Sequence, residues 1–305
     1  MSTRKDAGTQ PALRPLLILA PGRPRGSRVR ARIVAAAERR SIVVAALKAT
    51  DSMRSVDLIV QATQADSVIV CAEAPVQALV AAVAAARDLP YACMPAGPDD
   101  LLARDLGAPL DDPAETLSLP FSRAERTIDI AEVNGVPFIN YVAIGVTMPS
   151  RPPNGRRDAR RTRPGQGRPR ANAPPPRRVA GRAGEEPALL VCNNHFDLGN
   201  EDLGARDWPG GGRLQVVHFD DPGTDRAYRT LRAAGFRERA AARFQLSPGT
   251  ALDADVDGLP RRLASPLRFR SVHAALRVRA PGARERPPGP GSAARDPELE
   301  SLRTG

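Results

Sequence analysis

Three stretches of this chain hold residue types that could do chemistry. The first reads Pro95-Ala96-Gly97-Pro98-Asp99-Asp100-Leu101-Leu102-Ala103-Arg104. Gly97 allows an unusual backbone, and the helix predicted from about Asp99 offers free N–H groups to an anion. Asp99 and Asp100 stand at that helix start, where paired carboxylates could hold Mg²⁺, or cap the helix and complement its dipole. They would also compete with a phosphate for the same donors. The second stretch, Cys71-Ala72-Glu73-Ala74-Pro75, sets one carboxylate in a strand-to-helix loop, with Pro75 suited to the first turn of the helix. The third is Asp253-Ala254-Asp255-Val256-Asp257-Gly258-Leu259. Asp257 or Asp255 could act there as a general base, while Asp257-Gly258 reads equally as a plain hairpin turn.

Other reactive types are scattered. Cys71, Cys93 and Cys192 are odd in number and irregular in spacing, and each lies in or beside an apolar run. They suggest small buried hydrophobes, neither a disulfide framework nor a zinc set. His195, His218 and His273 have no partner at ligand or triad spacing.

The elements that must position these groups come from the apolar pattern. Leu16–Leu19, Ile42–Val44, Asp66–Val70 and Tyr91–Met94 read as strands without alternation, hence as a parallel sheet covered on both faces. Helices are predicted over Val29–Arg40, from about Ser52, over Val76–Arg87 and from about Asp99. This α/β succession defines a doubly wound nucleotide-binding-type domain over 13–122, its α/β pattern ending near Leu119. After Arg126 the pattern turns to β. Thr127–Val133 and Val136–Ile144 are two strands joined by Asn134-Gly135, a strong hairpin signal. Further strands are predicted at Leu189–Cys192, Leu214–Val217, Arg243–Leu246 and Ala275–Val278, with one helix at about Asp225–Ala234. A β-rich, sandwich-like domain is therefore expected over 123–149 and 187–281.

At 305 residues there is room for two such domains. Their cores must be largely aliphatic, because only 4% of residues are aromatic. No apolar run approaches the length of a membrane span, which predicts a soluble, cytoplasmic protein. Net charge is +11, but eleven arginines and one acid between Arg151 and Gly184 give +10 of it, leaving the remainder about neutral. This segment, 150–186, holds seven prolines and cannot bury a core, so disorder is expected there, in 1–12 and in the Pro/Gly/Arg-rich tail, 282–305. Two origins for 150–186 stand open: an Arg-rich flexible loop, or an out-of-frame translation of GC-rich DNA between compensating shifts.

With these residues in view, the order Pro95-Ala96-Gly97, Ala103-Arg104-Asp105-Leu106-Gly107, Asp111-Asp112-Pro113, Ile128-Asp129 to Phe138-Ile139-Asn140 and Ala143-Ile144-Gly145 resembles the catalytic domain of diacylglycerol kinases and related bacterial lipid kinases. The resemblance spans roughly Leu16 to Val278, apart from the Arg-rich segment. It implies two domains around a nucleotide cleft, with ATP and Mg²⁺ as cofactors and a lipid such as diacylglycerol as substrate at a membrane surface. The family's NP-x-[SA]-G turn matches Ala20-Pro21-Gly22-Arg23-Pro24-Arg25-Gly26, implying nucleotide contact near Pro21 and Gly22. Its GGDGT cradle falls on Cys71-Ala72-Glu73-Ala74-Pro75, where all three glycines are replaced and Glu73 lies within one position of the family's Asp. In its PAGT-x-N block, Pro98 replaces the Thr and Asp100 the Asn, beside Gly97. In its DGE motif, Leu259 stands where the family's general-base glutamate belongs, leaving Asp257 as the nearest stand-in.

Three functions follow as expectations. One is ATP-dependent phosphorylation of a lipid hydroxyl, with activity reduced or lost. The second is a non-catalytic relative that binds a lipid or partner through the same cleft. The third is an anionic-surface binder, with Arg151–Arg182 meeting acidic headgroups or nucleic acid. Arginine and proline without interleaved aromatics lack stacking platforms, so no specific nucleic acid is expected.

Overall fold

The computed structural model describes residues 13–21, 23–24, 26–48, 51–97, 100–122, 124–148, 187–199, 203–206, 208–220 and 226–281. The Arg-rich segment, the terminal segments, Gly22, Pro98 and Asp99 lie outside the described residues.

The first half alternates strand and helix: β1 (Pro15–Leu19), α1 (Ser27–Glu38), β2 (Val43–Ala46), α2 (Met53–Thr63), β3 (Ser67–Cys71), α3 (Ala74–Ala86), β4 (Tyr91–Cys93) and α4 (Leu101–Asp105). A 3₁₀ segment, Pro113–Phe121, leads out of it. The second half is nearly all strand: β5 (Glu125–Val133), β6 (Val136–Phe138), β7 (Tyr141–Ile144), β8 (Leu189–Asn193), β9 (Phe196–Leu198), β10 (Leu203–Arg206) and β11 (Leu214–Phe219). Then come α5 (Tyr228–Ala234), β12 (Phe236–Ala241), β13 (Arg243–Leu246), β14 (Leu252–Val256), β15 (Leu259–Leu263) and β16 (Leu267–Arg279).

Strands β1 to β4 pair in the order β2-β1-β3-β4, all parallel. Successive side chains point to opposite faces of a strand, so each strand supplies two cores. Leu17, Leu19 and Ile69 pack with Ile33 and Ala37 of α1 and with Leu117. Leu16, Ile18, Val68 and Val70 pack on the other face with Val56 and Val60 of α2 and with α3. Helix α3 carries Pro75 in its first turn and is otherwise built from Ala, Val and Leu with one buried Gln77. Ser52 caps α2, accepting a hydrogen bond from Ser55 N at 3.2 Å.

The sheet does not stop at the parallel strands. β16 pairs parallel to β4 and antiparallel to β5, so the order runs β2-β1-β3-β4-β16-β5-β6, with β13 on the other part of β16. A 13-residue strand serves both halves because its apolar positions change partners: Leu276 and Val278 join the α-covered core, Leu267 and Phe269 the sandwich core. A register shift between Val272 and Leu276 marks the change, with Ala274 at φ 50°. The second sheet, β12-β11-β8-β7-β14-β15, faces this extension across Val142, Ile144, Val191, Val216 and Leu252.

The predicted strand Val136–Ile144 is two strands, with a bend at Ile139-Asn140 that sends β7 into the second sheet. Both predicted turns form: Asn134-Gly135 (φ 49° and 79°) and Asp257-Gly258 (φ 53° and 88°) each take two positive-φ residues, the hand that suits a two-residue hairpin. Gly97 lies outside the positive-φ region, and a Cβ there would meet only Arg23 Nη1 at 3.7 Å, so the freedom a glycine allows is not used here.

Candidate functional site: the strand-edge cleft

In the order β2-β1-β3-β4, ligands of open α/β sheets bind outside the carboxyl ends of the strands, where the winding reverses between β1 and β3. The loops after β1, β3 and β4 meet there. Ala20 N donates to Cys71 O at 3.0 Å and Cys71 Sγ to Pro95 O at 3.6 Å, holding the three loops together. Burial pushes the Cys71 thiol up to about 12, so it is an unreactive spacer.

Pro21 is exposed at the first turn. Next to it, Arg23 reaches across the loops: its Nε lies 2.7 Å from Glu73 Oε1 and its Nη1 donates to Ala96 O at 3.3 Å. Arg30 of α1 supports this loop, donating to Ala20 O at 2.9 Å and to Arg23 O. Glu73 occupies the N-cap position of α3, and its side chain makes no capping hydrogen bond. The structure therefore brings Pro21, Glu73 and Gly97 to one strand edge, with Arg23, absent from the sequence-derived candidates, spanning them.

Asp100 is the N-cap of α4, as the capping reading required. Its Oδ1 accepts from Ala103 N at 3.1 Å, and its Oδ2 from Ala96 N at 3.2 Å and Gln77 Nε2 at 2.7 Å. Gln77 Nε2 also donates to Ala72 O at 2.9 Å. Burial raises the Asp100 pKa to about 6 against these three donors. The carboxylate is a staple between α3, α4 and the β4 loop.

Asp257 lies in the second half, at the turn between β14 and β15. It is 5% exposed. Its Oδ2 accepts from Ile139 N at 2.7 Å, and its Oδ1 from Asn140 N and Tyr141 N, both at 2.9 Å. This carboxylate makes the β6–β7 bend, satisfying three amides that leave the ladder there. Burial raises its pKa to about 6, opposed by the three backbone donors. Leu259 pairs across from Val256. Asp255 is half-buried; its Oδ1 accepts from Gly258 N at 2.5 Å, and burial raises its pKa. Among the described residues no group of three His, Cys, Asp or Glu could hold a metal ion.

Two buried charge clusters escaped the sequence reading. Arg206 and Asp105 form an ion pair at 2.8 Å with side chains 0% and 4% exposed, joining α4 to β10. Arg206 Nη1 also donates to Ile139 O and Asn193 O, both at 2.8 Å, and its guanidinium lies over Phe196. The other is Asp129, fully buried, which accepts from Ala274 N at 2.8 Å and Gly212 N at 2.5 Å beside His273 Nδ1 at 3.0 Å. It holds the β16 irregularity. No local pattern marks Arg206 among the chain's many arginines, and the His273–Asp129 pair spans 144 positions.

The class is now set by geometry: an α/β lobe whose strand-end loops meet at one edge, and a β-sandwich whose sheet continues that of the first lobe. No family model and no curated protein matches the sequence. Solved structures do. The crystal structure of a protein from Bacillus anthracis str. Sterne, provisionally assigned as a diacylglycerol kinase, is 15% identical, with a TM-score of 0.60 over 90% of this chain and 99% of that one. The crystal structure of a diacylglycerol kinase from the same strain is 16% identical, with a TM-score of 0.56 over the same shares of the two chains. The fold of this protein is that of these diacylglycerol-kinase structures.

Proposed function

We propose that this is a lipid-kinase-like protein that has lost phosphoryl transfer and binds a lipid or a partner in its cleft. The observation that carries this is Asp257. Both of its oxygens are committed to backbone amides, and the neighbouring position that bears the family's glutamate holds Leu259. A general base must reach a substrate proton, and neither side chain is free to do so.

The residues at the strand edge do not fit the phosphates of ATP with Mg²⁺. Ala72 and Ala74 carry Cβ atoms where the resembled kinases have glycines, and Arg23 crosses the loop mouth to Glu73. Asp100 already serves three donors. Phosphoryl transfer depends mostly on positioning and charge stabilisation, so a closed cradle removes rate without unfolding the protein. The lipid as ligand is supported by likeness of fold alone, and a peripheral place at a membrane surface would follow from it. No helix among the described residues is long and apolar enough to cross a membrane.

The test is equilibrium binding of ATP–Mg²⁺ beside mass spectrometry of lipids that copurify with the folded protein. Retained lipid without saturable ATP binding supports the proposal, and tight ATP binding contradicts it. A second reading keeps activity through Asp255, favoured by its raised pKa and by an Oδ2 with no partner among the described residues. Asp255→Asn would then abolish lipid phosphorylation while leaving the melting temperature in place.

A further inference from the structure

β13 joins β16 off the main strand order, so the extended sheet ends in a shelf made of β5, β16 and β13. Glu132, Arg270 and Arg243 are in register across these three strands. Arg268 lies two residues from Arg270 on β16, and residues two apart share a face. These four side chains line a concavity of about 910 Å³. Its lining includes none of Pro21, Glu73, Gly97, Asp100 or Asp257.

The charges do not balance. Three guanidinium groups face one carboxylate, and Glu132 is held by Arg270 in a two-point contact at 2.6 and 3.1 Å. Arg243 and Arg268 have no carboxylate partner among the described residues. Arg243 is directly opposite Arg270, and like charges in that relation destabilise a strand pair. The frame around them is fixed. Asn134 donates through Nδ2 to Ala264 O and accepts from Arg268 N, both at 2.8 Å, clamping the β5–β6 turn to the strand that carries two of the arginines. Arginine forks on rigid strands suit an oxyanion with several acceptor oxygens, and phosphate takes them bidentately.

We infer that this concavity binds a phosphomonoester or pyrophosphate group, carried by a soluble molecule or by a lipid headgroup. The ligand neutralises Arg243 and Arg268 and relieves the Arg243–Arg270 repulsion. The site is separate from the strand-edge cleft and stands whether or not the cleft binds a nucleotide.

Binding of inorganic pyrophosphate and phosphate to the full chain is measured by calorimetry. Sedimentation with phosphatidylcholine vesicles, with and without phosphatidic acid, is the second arm. The variants are Arg243→Glu/Arg268→Glu, the milder Arg243→Gln/Arg268→Gln, and a charge-matched control, Arg39→Glu/Arg54→Glu, at exposed positions just after α1 and within α2. Thermal melts confirm folding, and the Gln pair keeps the test valid should the Glu pair unfold. The wild type and the control are expected to bind pyrophosphate alike, with affinity falling by about tenfold or more in the Arg243/Arg268 variants. Vesicle binding that needs phosphatidic acid and is lost in the same variants assigns a headgroup; pyrophosphate binding alone assigns a soluble ligand. Absence of both in the wild type, or binding that survives the Arg243/Arg268 variants, overturns the inference.

Discussion

The Asp257 carboxylate accepts the backbone amide of Ile139 at 2.7 Å, across 118 positions of sequence. That bond, with those from Asn140 and Tyr141, ties the β14–β15 turn to the bend where the chain leaves one sheet for the other. An acid that looks placed for catalysis is therefore a hinge pin of the sandwich.

Replacing it should unfold the bend. Asp257→Ala leaves three buried amides without acceptors, each costing about 1–3 kcal/mol. Urea denaturation should show a loss of at least about 3 kcal/mol. A loss below about 1 kcal/mol, the worth of an ordinary net hydrogen bond, would contradict the assigned role.

Stability should also depend on pH through this group. The folded pKa of Asp257 is raised from 3.8 to about 6, so the folded state holds the proton more tightly than the unfolded chain does. Its contribution is fully present below pH 3.8 and is lost as pH rises through about 6, some 3 kcal/mol in all. Asp100 acts in the same direction over the same window. The wild-type stability advantage over Asp257→Asn, from urea melts between pH 4 and 7.5, should shrink as pH rises. An advantage that grows would refute the sign.

An anion reaching Arg23 would have to displace Glu73 from it. Their pair is partly exposed, with side chains 20% and 43% accessible, so its stability contribution is about 0–1 kcal/mol. Glu73→Ala should change the melting temperature little and should raise affinity for ATP or pyrophosphate at the strand edge by several-fold. Unchanged affinity, measured with Arg243 and Arg268 already replaced, would show that the pair does not close the site.

The Asp105–Arg206 pair joins α4 to β10 with both side chains almost wholly out of solvent. Removing one partner strands a buried charge, so Asp105→Ala should cost about 3–5 kcal/mol. The apolar pair Asp105→Leu/Arg206→Met should recover much of that loss. Equal damage in the single and double variants would mean that packing over Phe196, rather than charge, sets the cost.

Much of the fold is legible in the sequence because apolar runs and turn chemistry are local. Leu16–Leu19, Val68–Val70 and the Asn134-Gly135 turn announce themselves. β16 does not. Its thirteen residues alternate with arginines and change core partners halfway, so only Ala275–Val278 stands out as strand. β9, β10, β12, β14 and β15 went unseen for a related reason: short or arginine-rich strands take their stability from neighbours far along the chain. In the candidate site, the capping role of Asp100 follows from residue type and position. The roles of Arg23 and Asp257 do not, because each depends on a partner 50 or more residues away.

The most direct measurement is phosphoryl transfer from ATP–Mg²⁺ to an extracted lipid panel, read by mass spectrometry on folded wild-type protein. The account predicts no phosphorylated lipid above a protein-free control. A phosphorylated lipid would contradict it, name the substrate, and send attention to Asp255 as the group that takes the proton.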